Sequence, residues 1–132
     1  MGSHGLETRP KGAKPRDIKE RTFEFALAVV RLCRGVERRS QIDRTLAMQL
    51  LRSGTSIGAN VQEAQAGQSR ADFINKYSIA LKEARETAYW LRLLDASEVS
   101  PDGRCKELIG EAEEIGKILG AIIVKTKSRG AK

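Results

Sequence analysis

Leu51-Arg52-Ser53-Gly54-Thr55-Ser56-Ile57-Gly58-Ala59-Asn60-Val61 is the stretch on which the fold turns. It lies within a seam of small and apolar residues, Ala47, Leu50, Gly54, Ile57, Val61 and Ala64, recurring at steps of three and four. That is helical spacing. A glycine inside a helix costs about 1 kcal/mol relative to alanine. Gly54 and Gly58 share one face of the predicted helix, so close approach of another backbone is the compensating reason. A phosphate loop is the alternative, but the stretch has no Gly-Lys-Ser/Thr ending and no flanking strand. The segment therefore predicts a helix packed tightly against a neighbour.

The same periodicity extends in both directions. Ile18, Thr22, Phe25, Val29, Leu32 and Val36 form a seam before it. Phe73, Tyr77, Ala80, Ala84, Thr87, Leu91 and Leu94 form one after it, and Cys105, Leu108, Ala112, Ile115, Leu119 and Ile122 form the last. Alternating steps of this kind suit near-parallel bundle packing. Ser40 is placed to cap the second helix, Ser69 with Asp72 resembles a capping box, and Ser100-Pro101 reads as a cap followed by a first-turn proline. The predicted helices are 17–37, 41–67, 70–96 and 102–127. Short connections favour antiparallel neighbours, so the expected fold class is all-α, an antiparallel up-down-up-down four-helix bundle over residues 17–127.

Two segments hold more apolar surface than one seam uses. Phe23 to Cys33 has nine hydrophobic residues in eleven, and Ile118 to Val124 is seven residues without a charge. Phe23 and Phe25 cannot both face one core. An isolated bundle would expose one of these faces, so a ring-like homo-oligomer is expected; the alternative is a wide core stripe.

Composition narrows the chemistry. The chain has 132 residues, enough for one domain with its own core. Its one histidine, His4, falls in Met1-Gly2-Ser3-His4, which reads as an expression scar. Without a histidine in the folded part, a serine–histidine–aspartate triad, a cysteine–histidine pair and a ferritin-like di-iron site are all excluded within one chain. Cys33 and Cys105 alone supply no zinc site and read as buried cytosolic thiols. The chain is thus expected to be no enzyme, with no metal and no cofactor. Its longest uncharged run, Ser53 to Gln62, is ten residues, too short to span a bilayer. With no secretory signal, a cytoplasmic location and no membrane partner are expected.

The net charge of +7 is concentrated at the two ends. Residues 1–16, read as a basic tail, carry Arg9, Lys11, Lys14 and Arg16 against Glu7. Residues 125–132 carry Lys125, Lys127, Arg129 and Lys132 with no acid, and 128–132 read as a second tail. Between them, acids and bases balance. In an antiparallel bundle both termini emerge at one end, so the tails would gather there and oligomerisation would multiply them. Lys14, Arg16, Lys125, Lys127, Arg129 and Lys132 are the expected contacts to RNA or DNA phosphates. Within the middle, Arg34, Arg38 and Arg39 either complement a helix C-terminus or form a phosphate site.

The stretch from Gln49 to Ala64 also resembles the signature of the 23S rRNA intervening-sequence proteins. Asp72-Phe73-Ile74, the run from Ile79 to Leu91 and Phe23-Glu24-Phe25-Ala26 fit the same pattern, which covers most of the predicted bundle. Members are encoded within insertions of bacterial large-subunit rRNA genes and elsewhere. The family is structurally related to the accessory variability proteins of diversity-generating retroelements, basic ring-like homopentamers that bind nucleic acid and a reverse transcriptase. The resemblance implies a pentameric bundle with a central channel, and a reverse transcriptase or other nucleoprotein as a partner. It implies no activity. The neutral middle departs from a basic barrel wall and shifts nucleic-acid binding toward the tails.

Arg52, Ser56, Asn60 and Glu63 descend one side of the second helix, and Lys82, Glu83, Glu86 and Trp90 form a comparable face on the third. One reading has Glu63, Glu83 and Glu86 gather a divalent cation for phosphoryl chemistry. The other joins Arg52, Ser56, Asn60, Glu63, Glu83 and Glu86 in a polar network that fixes helix register. Phe73 and Tyr77 lie on the seam, leaving few aromatics for base stacking. Binding is therefore expected to be electrostatic and sequence-tolerant. The competing expectation is a protein-interaction scaffold, such as an accessory subunit, that binds no nucleic acid.

Overall fold

The computed structural model describes residues 17–36, 39–67, 69–98 and 102–130. Four helices account for nearly all of them: α1 Ile18–Val36, α2 Gln41–Gln65, α3 Arg70–Ala96 and α4 Arg104–Gly130. There is no strand among the described residues. The chain is an all-α four-helix bundle.

The starts of α2 and α3 follow from their caps. The Ser40 hydroxyl accepts from the Asp43 backbone N–H at 3.1 Å, and Ser69 accepts from that of Asp72 at 3.0 Å. Each satisfies an amide that the first turn leaves without an intrahelical partner. Ser100-Pro101 falls outside the described residues. At α4 it is Asp102 that accepts from the Arg104 N–H, after Gly103 turns the chain at φ +85°. Helix α2 stops at Gln65, two residues before the expected end, because Ala66 and Gly67 turn back onto the carbonyls of Glu63 and Ala64. Helix α4 runs in the other direction. It continues past 127 to Gly130, so Arg129 is helical and belongs to no tail.

Successive helices meet in opposite order along the chain. Val29 meets Gly54 and Thr22 meets Gly58 between α1 and α2. Ser53 meets Thr87 and Gln65 meets Tyr77 between α2 and α3. Leu81 meets Gly116 and Arg70 meets Gly130 between α3 and α4. Helices α1 and α4 share the smallest contact. The core between the four is made by Phe25, Leu32, Leu50, Ile57, Leu91, Leu94, Ile115 and Leu119, all but sealed from water. Burial of each such side chain stabilises the fold by about 1.5–3 kcal/mol.

Of the two phenylalanines at opposite faces, Phe25 is buried and Phe23 is 67% exposed. The wide-stripe alternative therefore fails at Phe23. Leu27, Met48, Tyr89 and Val124 are likewise exposed. Among the described residues, no helix is long and apolar enough to cross a membrane.

Candidate nucleic-acid interface

The register of α2 against α3 fixes where the basic residues stand. Gln65, the last residue of α2, donates to the Tyr77 hydroxyl at 3.0 Å. Asp17, immediately before α1, is near the same phenol; burial first, and then this carboxylate, push the Tyr77 pKa up, while the Gln65 bond works against them. The seven residues of α3 from Arg70 to Lys76 therefore lie beyond the ends of α1 and α2. At 1.5 Å per residue they project by about 10 Å. Among the described residues, the turn after α2 and the end of α4 lie beside them: a Cβ on Gly67 would lie 3.8 Å from Asp72 Cβ, and one on Gly130 would lie 3.1 Å from Arg70 Cδ.

This two-helix projection is basic. Lys125, Lys127 and Arg129 are all exposed on α4, and Arg70 is exposed on α3. Lys125 and Arg129, one turn apart, share a side, and Lys127 points the opposite way. Lys76 is held at 2.7 Å by Glu63. Asp72 is the acid on the α3 part of the projection. A cation in the first turn of a helix opposes the helix dipole, so Arg70 is locally unfavourable in α3. The C-terminus of α4 beside it offers the compensating negative end. That helix-start position was the one sequence signal for Arg70, which charge counting along the chain missed. Lys14, Arg16 and Lys132 fall outside the described residues.

A sequence profile described as 23S rRNA-intervening sequence protein matches residues 14–121. The chain belongs to that family. A solved structure of a protein of unknown function from the S23 ribosomal protein family of Bacteroides thetaiotaomicron is 46% identical to this family member. It superposes with a TM-score of 0.76, over 81% of this chain and 98% of the other. No curated protein matched. The profile includes the glycine-containing helix and ends before Lys125, so the basic tip of α4 lies outside it.

Within the family signature, a neighbouring backbone approaches at Gly58, whereas at Gly54 it is the Val29 side chain that fills the space. A Cβ on Gly54 would sit 2.9 Å from Val29 Cγ1, and one on Gly58 would sit 3.3 Å from the Thr22 carbonyl oxygen. The polar residues beside them separate into distinct clusters. Arg52 bridges Glu83, at 3.3 Å, and Glu86, and takes weaker support from Gln49 at 3.4 Å. Trp90 donates its indole N–H to Glu86 at 2.9 Å. Arg52 is 48% exposed, so this cluster is superficial. Ser56 and Asn60 do not join it; they bond to the carbonyls of Arg52 and Ser56 in their own helix. Glu63 is taken by Lys76 and does not converge with Glu83 and Glu86. The described residues contain no group of three or more carboxylates, cysteines or histidines placed to hold a metal ion.

Two contacts between helices had no sequence signal. The hydroxyls of Ser53 and Thr87 share a 2.9 Å hydrogen bond inside the α2–α3 interface. Arg21 grips Glu111 with two bonds, 2.7 and 2.8 Å, across the sparse α1–α4 contact. The bond to Glu111 raises the Arg21 pKa against the opposing effect of burial. Cys33 and Cys105 are buried, and burial pushes their thiols up to about 12 and about 11. The Cys33 thiol donates to the Ala47 carbonyl at 3.3 Å. Neither sulfur is therefore a ready nucleophile at neutral pH.

Proposed function

We propose that this protein is a non-enzymatic adaptor that binds RNA or DNA electrostatically through the projecting ends of α3 and α4. The observation that carries this reading is the helical continuation of α4 to Gly130, which holds Lys125, Lys127 and Arg129 out on a rigid support beside Arg70. Fixed cations lose less freedom on meeting phosphates than cations on a loose tail. The opposed order of contacts between successive helices supports an antiparallel up-down-up-down arrangement. Lys14, Arg16 and Lys132, which lie outside the described residues, are proposed as further phosphate contacts. A ring-like homo-oligomer, pentameric on the family resemblance, multiplies the patch by the number of subunits. The exposed apolar residues of α1 support the self-association. They equally suit the competing reading, a protein-interaction scaffold for a reverse transcriptase or other nucleoprotein subunit.

The test is fluorescence anisotropy with structured RNA and duplex DNA over a salt series. It compares the wild type with a Lys125→Gln, Lys127→Gln, Arg129→Gln variant at equal oligomer size. Loss of most of the affinity in the variant, with a shallower salt dependence, is the expected result. No binding by either protein at low salt would remove the nucleic-acid reading and leave the scaffold.

A further inference from the structure

Phe23 and Leu27 stand one turn apart on the outside of α1, 67% and 38% exposed. On the other pair of helices, a groove of about 460 Å³ runs between α3 and α4, walled by Leu81, Ala84, Ala88 and Ala112, with Gly116 and Gly120 at its α4 side. Unlike Gly54 and Gly58, these glycines have little to meet inside the chain. A Cβ on Gly120 would find nothing within 4 Å, and one on Gly116 only Leu81, at 3.7 Å. The cost of each glycine to the helix is thus not offset by packing within the protomer.

We infer that the occupant of this groove is α1 of a second copy, inserting Phe23 and Leu27 over Gly116 and Gly120 in antiparallel orientation. Charge order selects both the occupant and its direction. Asp17 just before α1 and Glu20 and Glu24 in its first half stand against Lys19, with Arg21 committed to Glu111. The second half carries Arg31 and Arg34. Along α4, Arg104 and Lys106 are paired with Asp102 and Asp95 and Glu111 with Arg21, which leaves Glu107, Glu113 and Glu114 in the first half and then Lys117, Lys125, Lys127 and Arg129 with no acid. Antiparallel docking sets Glu20 toward the basic end of α4 and Arg31 toward Glu113. Parallel docking sets like charges together and is disfavoured.

The direction also suits closure. Within a protomer the Arg21–Glu111 pair joins α1 to α4, and if these two run oppositely, a cyclic ring of parallel protomers presents each α1 antiparallel to its neighbour's α4. Knob and groove belong to different helices, so the contact is heterologous, as a ring requires. This inference rests on the self-association in the function proposed above and assigns it a surface.

The test is the solution mass of the wild type, Phe23→Glu and Gly120→Gln, singly and mixed, by light scattering, with far-UV circular dichroism to confirm helical content. Both substitutions are at positions open to solvent in the protomer, so helicity is retained. The expected result is an oligomeric wild type and two variants at the single-chain mass of 14.6 kDa. Mixed in equal amounts, they form a species of two chains and no larger, because Phe23→Glu keeps its groove and Gly120→Gln keeps its knob. Variants that retain the wild-type mass, or a mixture that stays monomeric, overturn this interface while leaving the ring standing. A monomeric wild type overturns both.

Discussion

At Gly54 two opposing effects of one methyl group can be weighed. Alanine would favour the helix by about 1 kcal/mol. Its Cβ would fall 2.9 Å from Val29, which is pinned in the core and cannot retreat. Forcing a methyl group into such a site costs about 1–3 kcal/mol. Gly54→Ala is therefore expected to lower stability by roughly 1 kcal/mol net, whereas Gly110→Ala, with nothing within 4 Å, should raise it by up to about 1 kcal/mol. Urea unfolding of the two variants checks the contrast. The buried thiols give a second residue-scale expectation. Folding moves the Cys33 and Cys105 pKa values from 9.0 up to about 12 and about 11. Above the unfolded value, the unfolded chain has lost protons that the folded chain still holds, so stability falls as pH rises from about 9 toward 11. Below that window these groups contribute no slope. Comparing urea midpoints at about pH 8 and about pH 10.5 should show a steeper fall for the wild type than for a Cys33→Ala, Cys105→Ala variant.

At the scale of the helices, the Arg21–Glu111 ion pair ties α1 to α4 across their sparse contact. Glu111 is 8% exposed, and both of its carboxylate oxygens are used by Arg21. Glu111→Ala leaves the guanidinium beside a gap, but Arg21 retains a side facing water. The loss should be about 2 kcal/mol, below that of a fully buried pair. Hydrogen exchange should show α1 amides losing protection before those of α3. This pair illustrates what the sequence withheld. Helix positions were legible because capping is local: Ser40 and Ser69 act on amides three residues away. The core seams were legible for the same reason. Arg21 and Glu111 are 90 residues apart, and Ser53 and Thr87 are 34 apart, so no spacing rule connects them. The signature polar residues were legible as a face but not as partners. Periodicity put Ser56 and Asn60 beside Arg52, yet their short side chains reach their own helix carbonyls first. The end of α4 escaped for another reason. Residues 128–132 read as a basic tail by composition, whereas α4 continues to Gly130, where a Cβ would lie 3.1 Å from Arg70 Cδ on α3.

At the scale of the whole molecule, the placement of the aromatic rings decides what kind of nucleic-acid binding the basic projection can support. Phe73 and Tyr77 stack on each other at 4.3 Å, with Tyr77 buried. Trp90 is engaged with Glu86. Tyr89 is exposed, but it lies on the third helix twelve residues past the end of the projection at Tyr77. The one ring on the projection, Phe73, is half-buried and stacked on Tyr77, so phosphate neutralisation is left as the main source of affinity for Lys125, Lys127, Arg129 and Arg70. For such a surface, the logarithm of affinity falls with the logarithm of salt concentration by about 0.9 per phosphate on duplex DNA and about 0.7 on single strands. If the same cations meet both ligands, the two salt slopes should stand in that ratio. Tyr89→Ala should leave both affinities within about twofold, since a lost stacking contact would cost about 1–3 kcal/mol and much more than twofold. A large effect of Tyr89→Ala on single strands alone would move the binding surface from the basic projection to the flank of α3. Equal insensitivity for both ligands, with the slopes in the stated ratio, places the interaction at the charged ends of α3 and α4.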